Sequence, residues 1–183
     1  MPDLQKRNES PAEQDAGGEL ENLVHSHSGA KEEALMRIQR RSCGVLLLRE
    51  FEGKTQLLIV RHYSGGHWGL PKGGQEAGES DLETARRELK EETGIETVSM
   101  IDVDPLTESY QFTRNGQSYD KVVAYFLARS EGAEVELQKT ELCDSAWVSF
   151  EEAARRIGHP ETVSMLARAQ AVVDQIKAQD RDS

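Results

Sequence analysis

The sequence predicts an α+β domain in which one sheet is layered against helices. Three observations carry that prediction. Aliphatic runs of strand length recur between Gly- and Asn-containing turns; one strongly capped helix interrupts them; and a helical apolar stripe follows the last run. At 183 residues the chain can hold one ordinary domain with a real core.

In chain order, residues 1–36 are polar, rich in Glu, Ser, Gly and Asn, and nearly without large apolar side chains. That composition cannot offset its own ordering entropy, so a disordered tail is expected, with the domain over 37–180. AKEEALM (Ala30 to Met36) can form a helical turn that nothing fixes, and His25 and His27 receive no role. The run from Cys43 to Glu50, the turn FEGKT and the run from Gln56 to His62 read as a β-hairpin. SGGHWGLPKGG (Ser64 to Gly74) carries too much Gly and Pro for regular structure, so it is a loop with a brief extended piece. A helix follows from Ser80. Strand-like segments come next over Thr97 to Asp104, Glu108 to Arg114, Asp120 to Ala128 and Ser145 to Phe150. Asn115-Gly116 between the second and third is a hairpin signal. Ser149-x-x-Glu152 starts a further helix, Pro160 breaks it, and Val163, Leu166, Ala169, Val173 and Ile176 give its continuation a core-facing stripe.

The chain has 22 Lys+Arg against 33 Asp+Glu, a net charge of -11. Such an acidic surface disfavours general nucleic-acid binding and attraction to anionic membrane, because both partners are polyanions. A small phosphorylated ligand held through a cation remains open. No apolar run has membrane-spanning length and no signal-peptide core is present. Two cysteines far apart, Cys43 and Cys143, read as buried free thiols. A reducing, cytoplasmic setting is the expectation, and the oligomeric state stays open.

The central helix poses the chemical question. Ser80 and Glu83 form a capping box, Gly94 supplies the left-handed stop, and Leu82, Ala85 and Leu89 share an inward face. Glu88, Glu91 and Glu92 share a neighbouring face, where like charges repel by roughly a few tenths of a kcal/mol per pair. Glu92 is expected to face outward. Pairs of Arg87 with Glu83 and Glu91 would make this an ordinary solvated face. The preceding LPKGG tips the balance: Lys72 among glycines suits a phosphate, and converging carboxylates suit a hard cation, Mg²⁺ or Mn²⁺.

Gly73, Glu79, Arg87-Glu88-Leu89, Glu91-Glu92 and Gly94-Ile95, at these spacings, resemble the complete signature of the Nudix hydrolases. The likeness extends in layout from Arg41 to Ala178. It implies a Nudix fold, a curved mixed β-sheet sandwiched between α-helices. It also implies metal-assisted hydrolysis of a nucleoside diphosphate linked to another group. Carried over by position, Glu88, Glu91 and Glu92 are metal ligands, Arg87 orients them by pairing with Glu79, and Glu79, Gly73 and Gly94 are structural. A further carboxylate from outside the signature is sought in KTELCD, where Glu141 is preferred over Asp144 as ligand or general base. HWGLPKGGQEAGESDLETA, VVAYFLA and TELCDSAWVSFEEA resemble the asymmetric bis(5'-nucleosyl)-tetraphosphate hydrolases. That subgroup implies cleavage of diadenosine tetraphosphate to ATP and AMP. His67 and Lys72 would then lie along the polyphosphate, with Tyr110 or Phe112 stacked on adenine. Gly74 departs from that subgroup's common pattern. Similar loops occur in hydrolases of diphosphoinositol polyphosphates and other Nudix substrates, so hydrolysis of a diphosphoinositol polyphosphate, an RNA 5'-triphosphate or a nucleotide sugar is the alternative within the class. For an inositol polyphosphate, Arg61, Arg114 and Lys121 would have to add positive charge. A non-hydrolytic nucleotide sensor is the alternative of a different class, and the intact acidic cluster disfavours it.

Overall fold

The computed structural model describes residues 37–132 and 134–181. The tail, its two histidines and AKEEALM lie outside the described residues. Eight strands form one mixed sheet: β1 (Ile38–Phe51), β2 (Lys54–His62), β3 (Trp68–Gly69), β4 (Lys72–Gly74), β5 (Val98–Met100), β6 (Leu106–Arg114), β7 (Gln117–Ser130) and β8 (Leu142–Val148). Among the described residues three helices accompany it: α1 (Asp81–Thr93), α2 (Phe150–Ile157) and α3 (Pro160–Arg181).

The predicted hairpin is present, with Phe51 paired to Lys54 across Glu52-Gly53, and β1 begins at Ile38, earlier than the aliphatic run. The Asn115-Gly116 turn joins β6 to β7, both turn residues having the positive φ that a tight hairpin requires. The parallel pairing of β1 with β7, from Ile38–Tyr119 to Leu48–Arg129, makes the sheet mixed. One edge of β1 is shared: β2 takes its C-terminal end and β4 takes Ser42 to Gly44. The strand expected over Thr97 to Asp104 shrinks to Val98–Met100, where β5 pairs with the end of β7.

Each face of the sheet has its own core, because side chains alternate along a strand. Leu46, Leu48, Val123, Tyr125 and Leu127 pack with α2 and α3. Cys43, Val45, Leu47, Ala124 and Ala128 pack with Ala85 and Leu89 of α1. The layering is therefore the predicted one, a sheet between helices. On α3, Leu166, Ala169 and Val173 are buried as the stripe requires, but Val163 is only half-buried and Met165 takes the inner place. Cys43 is buried, whereas Cys143 is exposed; its strand is a sheet edge beyond β2. Pro160 opens α3, a first-turn position where its missing N–H costs nothing. No helix among the described residues is long and apolar enough to cross a membrane.

Candidate active site

The site is assembled where β4 meets α1. Ser80 caps the helix, accepting from the Glu83 backbone N–H, and the Glu83 carboxylate returns to the Ser80 N–H at 2.8 Å. Glu83 is thereby committed to the cap, and the expected pair with Arg87 does not form. Gly94 ends the helix at φ 72° and donates to the Lys90 carbonyl.

Arg87 is the organiser. Its guanidinium clasps Glu79 with two bonds of 2.6 and 2.9 Å, reaches Glu88 at 2.8 Å and Glu91 at 3.2 Å, and donates to the Gly74 carbonyl at 2.9 Å. The two bonds from Arg87 to Glu79, with those from the Glu76 N–H and the Thr84 hydroxyl, hold the Glu79 carboxyl down at about 2. Glu79 thus fixes the loop and the arginine together.

Gly73 explains its own identity. A Cβ built there would lie 2.0 Å from the Glu88 carboxyl carbon, so the Glu88 carboxylate can keep this position only beside a residue without a side chain. Gly44 plays the same part on β1, where a Cβ would meet the Pro71 carbonyl oxygen at 2.2 Å.

Glu92 corrects the sequence reading: it is 4% exposed, not outward-facing. Its carboxylate accepts the Lys72 backbone N–H at 3.0 Å, which ties α1 to β4. Burial pushes this carboxyl up to about 7, with Lys72 opposing and the charges of Glu88 and Glu141 adding to the rise. Burial also raises Glu88, against the pull of Arg87. Glu141 is exposed, on a loop docked to the end of α1: the Gln138 and Glu136 N–H groups donate to the Glu92 and Thr93 carbonyls. Asp144 instead sits in β8 opposite Arg61 and bonds the Ser145 N–H.

Among the described residues, no three His, Cys, Asp or Glu side chains close around an ion as they stand. The donor chemistry nevertheless fits a hard divalent cation. Glu88 and Glu92 are desolvated, all-oxygen and mutually repelling, and Mg²⁺ takes one or two carboxylates plus water and phosphate, not a full protein cage. Glu88, Glu91 and Glu92 are the residues that would hold it.

On the α2–α3 side of the sheet a cavity of about 400 Å³ opens, and His67, Lys72, Tyr110 and Phe112 all line it. Lys72 therefore joins the two halves, its N–H on Glu92 and its side chain in the cavity wall. Lys121 is half-buried beside it; burial lowers its pKa, and repulsion from Lys72 adds to that. His67 stacks on His62 with centroids 4.6 Å apart, and burial followed by the Lys72 charge brings His62 down to about 4. Phe112 stacks on Tyr119 at 4.9 Å. Arg61 is turned to the Gly66 carbonyl, and Arg114 lies exposed at the end of β6. The sequence reading passed over His62, Trp68, Glu108 and Tyr125 of this wall; the alternation of Glu108, Tyr110 and Phe112 was the available signal for Glu108.

Comparison with known proteins identifies the family and the fold. The family model for the NUDIX domain matches residues 38–169. The asymmetrical bis(5'-nucleosyl)-tetraphosphatase of Mus musculus is 31% identical over 123 residues, spanning 63% of this chain and 82% of that protein. An RNA pyrophosphohydrolase of Bartonella clarridgeiae is 41% identical over 68 residues, 33% of this chain and 39% of the other. The crystal structure of a C. elegans Ap4A hydrolase binary complex superposes with a TM-score of 0.66 at 27% identity, covering 74% of this chain and 98% of that one. A sheet between helices, an arginine-organised cluster of signature glutamates and a family match across most of the chain lead to one conclusion: this protein belongs to the Nudix hydrolase family.

Proposed function

We propose that the protein hydrolyses a dinucleoside polyphosphate, with diadenosine tetraphosphate cut to ATP and AMP. The observation that carries the reading is the continuity at Lys72 between the acidic cluster and an aromatic-walled cavity. A phosphate chain lying along Lys72 and Lys121 would have its nucleoside in the cavity and its reacting phosphorus beside Glu88 and Glu92. The 31% identity to a tetraphosphatase supports the substrate. The RNA pyrophosphohydrolase likeness covers a third of this chain and supports the shared chemistry only.

In this reading the two lysines attract and align the polyphosphate, with His67 along it and Tyr110 or Phe112 against the base. Arg87 keeps Glu88 and Glu91 oriented. Glu141, within charge range of Glu92, takes the proton from the water that attacks phosphorus, and the bridging oxygen departs with the leaving nucleotide. A divalent cation held by Glu88, Glu91 and Glu92 supplies charge neutralisation and a lowered pKa for water. Chromatography of products from diadenosine tetraphosphate with Mg²⁺ tests this. Equal ATP and AMP, lost on chelation, is the expected result. No cleavage by folded protein refutes it and directs the search to diphosphoinositol, nucleotide-sugar and 5'-triphosphate RNA substrates.

A further inference from the structure

Glu108 is a buried carboxylate that the mechanism above does not use. On β6 it shares a face with Tyr110 and Phe112, and it stands opposite Val123 of β7. It is 6% exposed and lines the cavity. One oxygen, Oε1, accepts the Tyr125 hydroxyl at 3.3 Å. The other, Oε2, is buried and accepts no hydrogen bond, although Lys121 lies within charge range.

A buried acceptor without a donor is costly, and such groups in a cavity wall call for a ligand that supplies the proton. The surrounding wall narrows what that ligand is. Trp68, Tyr110 and Phe112 give the wall aromatic surface, and Leu70 and Ile157 add apolar surface, which suits a planar ring. Lys72 in the same wall, with Lys121 within charge range of it, would take a phosphate attached to that ring. A planar heterocycle with an edge N–H donor and a phosphate is a nucleotide, and where its base is adenine the edge donor is the exocyclic amino group.

We propose that Glu108 reads the base edge: Oε2 accepts a hydrogen bond from the exocyclic amino group of the bound nucleobase. This rests on the reading that a nucleotide occupies the cavity, and for diadenosine tetraphosphate the donor is the adenine 6-amino group. Tyr125 is the positioning residue, because its hydroxyl holds Oε1 and leaves Oε2 as the free acceptor.

The arrangement makes a particular inversion testable. In Glu108→Gln the Tyr125 hydroxyl keeps its acceptor by holding the amide oxygen, which puts the amide NH₂ where Oε2 was. The cavity then offers a donor, which suits a 6-oxo base and not a 6-amino base. The experiment is calorimetric titration of full-length wild type and Glu108→Gln with adenosine, inosine and purine riboside 5'-monophosphates, the last having no 6-substituent. Wild type should bind the adenine nucleotide at least about tenfold more tightly than either analogue. Glu108→Gln should reverse the order between adenine and hypoxanthine. Equal wild-type affinity for the adenine and unsubstituted nucleotides overturns the proposal without any variant. So does an unchanged adenine-to-hypoxanthine ratio in Glu108→Gln, whatever its melting temperature. Binding is read apart from turnover: a retained adenine preference with no diadenosine tetraphosphate cleavage supports this inference and sinks the substrate assignment.

Discussion

Replacing Gly73 by alanine should separate catalysis from folding. The new Cβ would stand 2.0 Å from Cδ and Oε2 of Glu88 and 2.1 Å from Oε1. Ordinary contact needs about 3.5 Å, so the carboxyl must retreat by roughly 1.5 Å. The obstacle is the free end of a side chain, so the backbone need not move. The retreat breaks the 2.8 Å bond from Arg87. A charged hydrogen bond is worth about 1.5–3 kcal/mol, and partial replacement by water at this half-open site leaves a net loss of about 1 kcal/mol. For a chain of this size that lowers Tm by about 2–4 °C. Catalysis should suffer far more, since a misplacement of about 1 Å costs about 100-fold. The assay is kcat/KM for diadenosine tetraphosphate with Mg²⁺, beside a thermal melt. Two controls bracket the result. Gly74→Ala meets nothing within 4 Å and should be silent in both. Gly44→Ala drives a Cβ into the Pro71 backbone carbonyl at 2.2 Å, an obstacle that cannot swing aside, and should lose fold and activity together. Gly73→Ala activity within about threefold of wild type would refute the claim that the glycine is there to seat Glu88.

Other expectations concern the charges of the site. Glu92→Gln keeps an acceptor for the Lys72 N–H and should fold at least as well as wild type, while turnover falls by at least about 100-fold; near-normal turnover would remove Glu92 from the chemistry. The Glu92 carboxyl stands at about 7 in the folded protein against 4.5 for a free side chain, so between those values the folded state holds a proton that the unfolded chain has released. Raising pH across that window therefore costs stability, by about 1–3 kcal/mol in chelator. His62, held down at about 4, acts in the opposite sense over an overlapping window, so the comparison is between proteins: from about pH 5 to about pH 8 the urea midpoint of wild type should fall relative to that of Glu92→Gln, and an equal pH dependence in both would sink the assignment. Arg87→Lys exchanges a fork for a point charge and loses the two-pronged grip on Glu79, so kcat/KM should fall by at least about tenfold, measured at saturating Mg²⁺. Wild-type rates in that variant would mean that Arg87 is only a surface cation.

Local chemistry was legible in the chain. Capping depends on residues three apart, so Ser80, Glu83 and Gly94 announced both ends of α1. The Asn115-Gly116 turn and the glutamate spacing are local in the same sense. Long-range consequences were not. The parallel union of β1 and β7 pairs residues 81 positions apart, from Ile38 with Tyr119 to Leu48 with Arg129, and no local preference encodes it. The burial of Glu92 had no signal either, since on an isolated helix it shares the outward face of Glu88 and Glu91; β4 laid across that face is what desolvates it.

The sequence by itself determined the family and the identity of the groups at its signature, because short spacings on one helix and one glycine-bounded loop already place them within reach of each other. Only the tertiary structure decided what surrounds them. The sheet register brings Lys121 near Lys72 and sets Tyr125 against Glu108, and the packing of α2 and α3 walls the cavity. Those relations are between strands and layers distant in the chain, and the desolvation that gives a carboxylate its altered proton affinity exists only once those layers have closed.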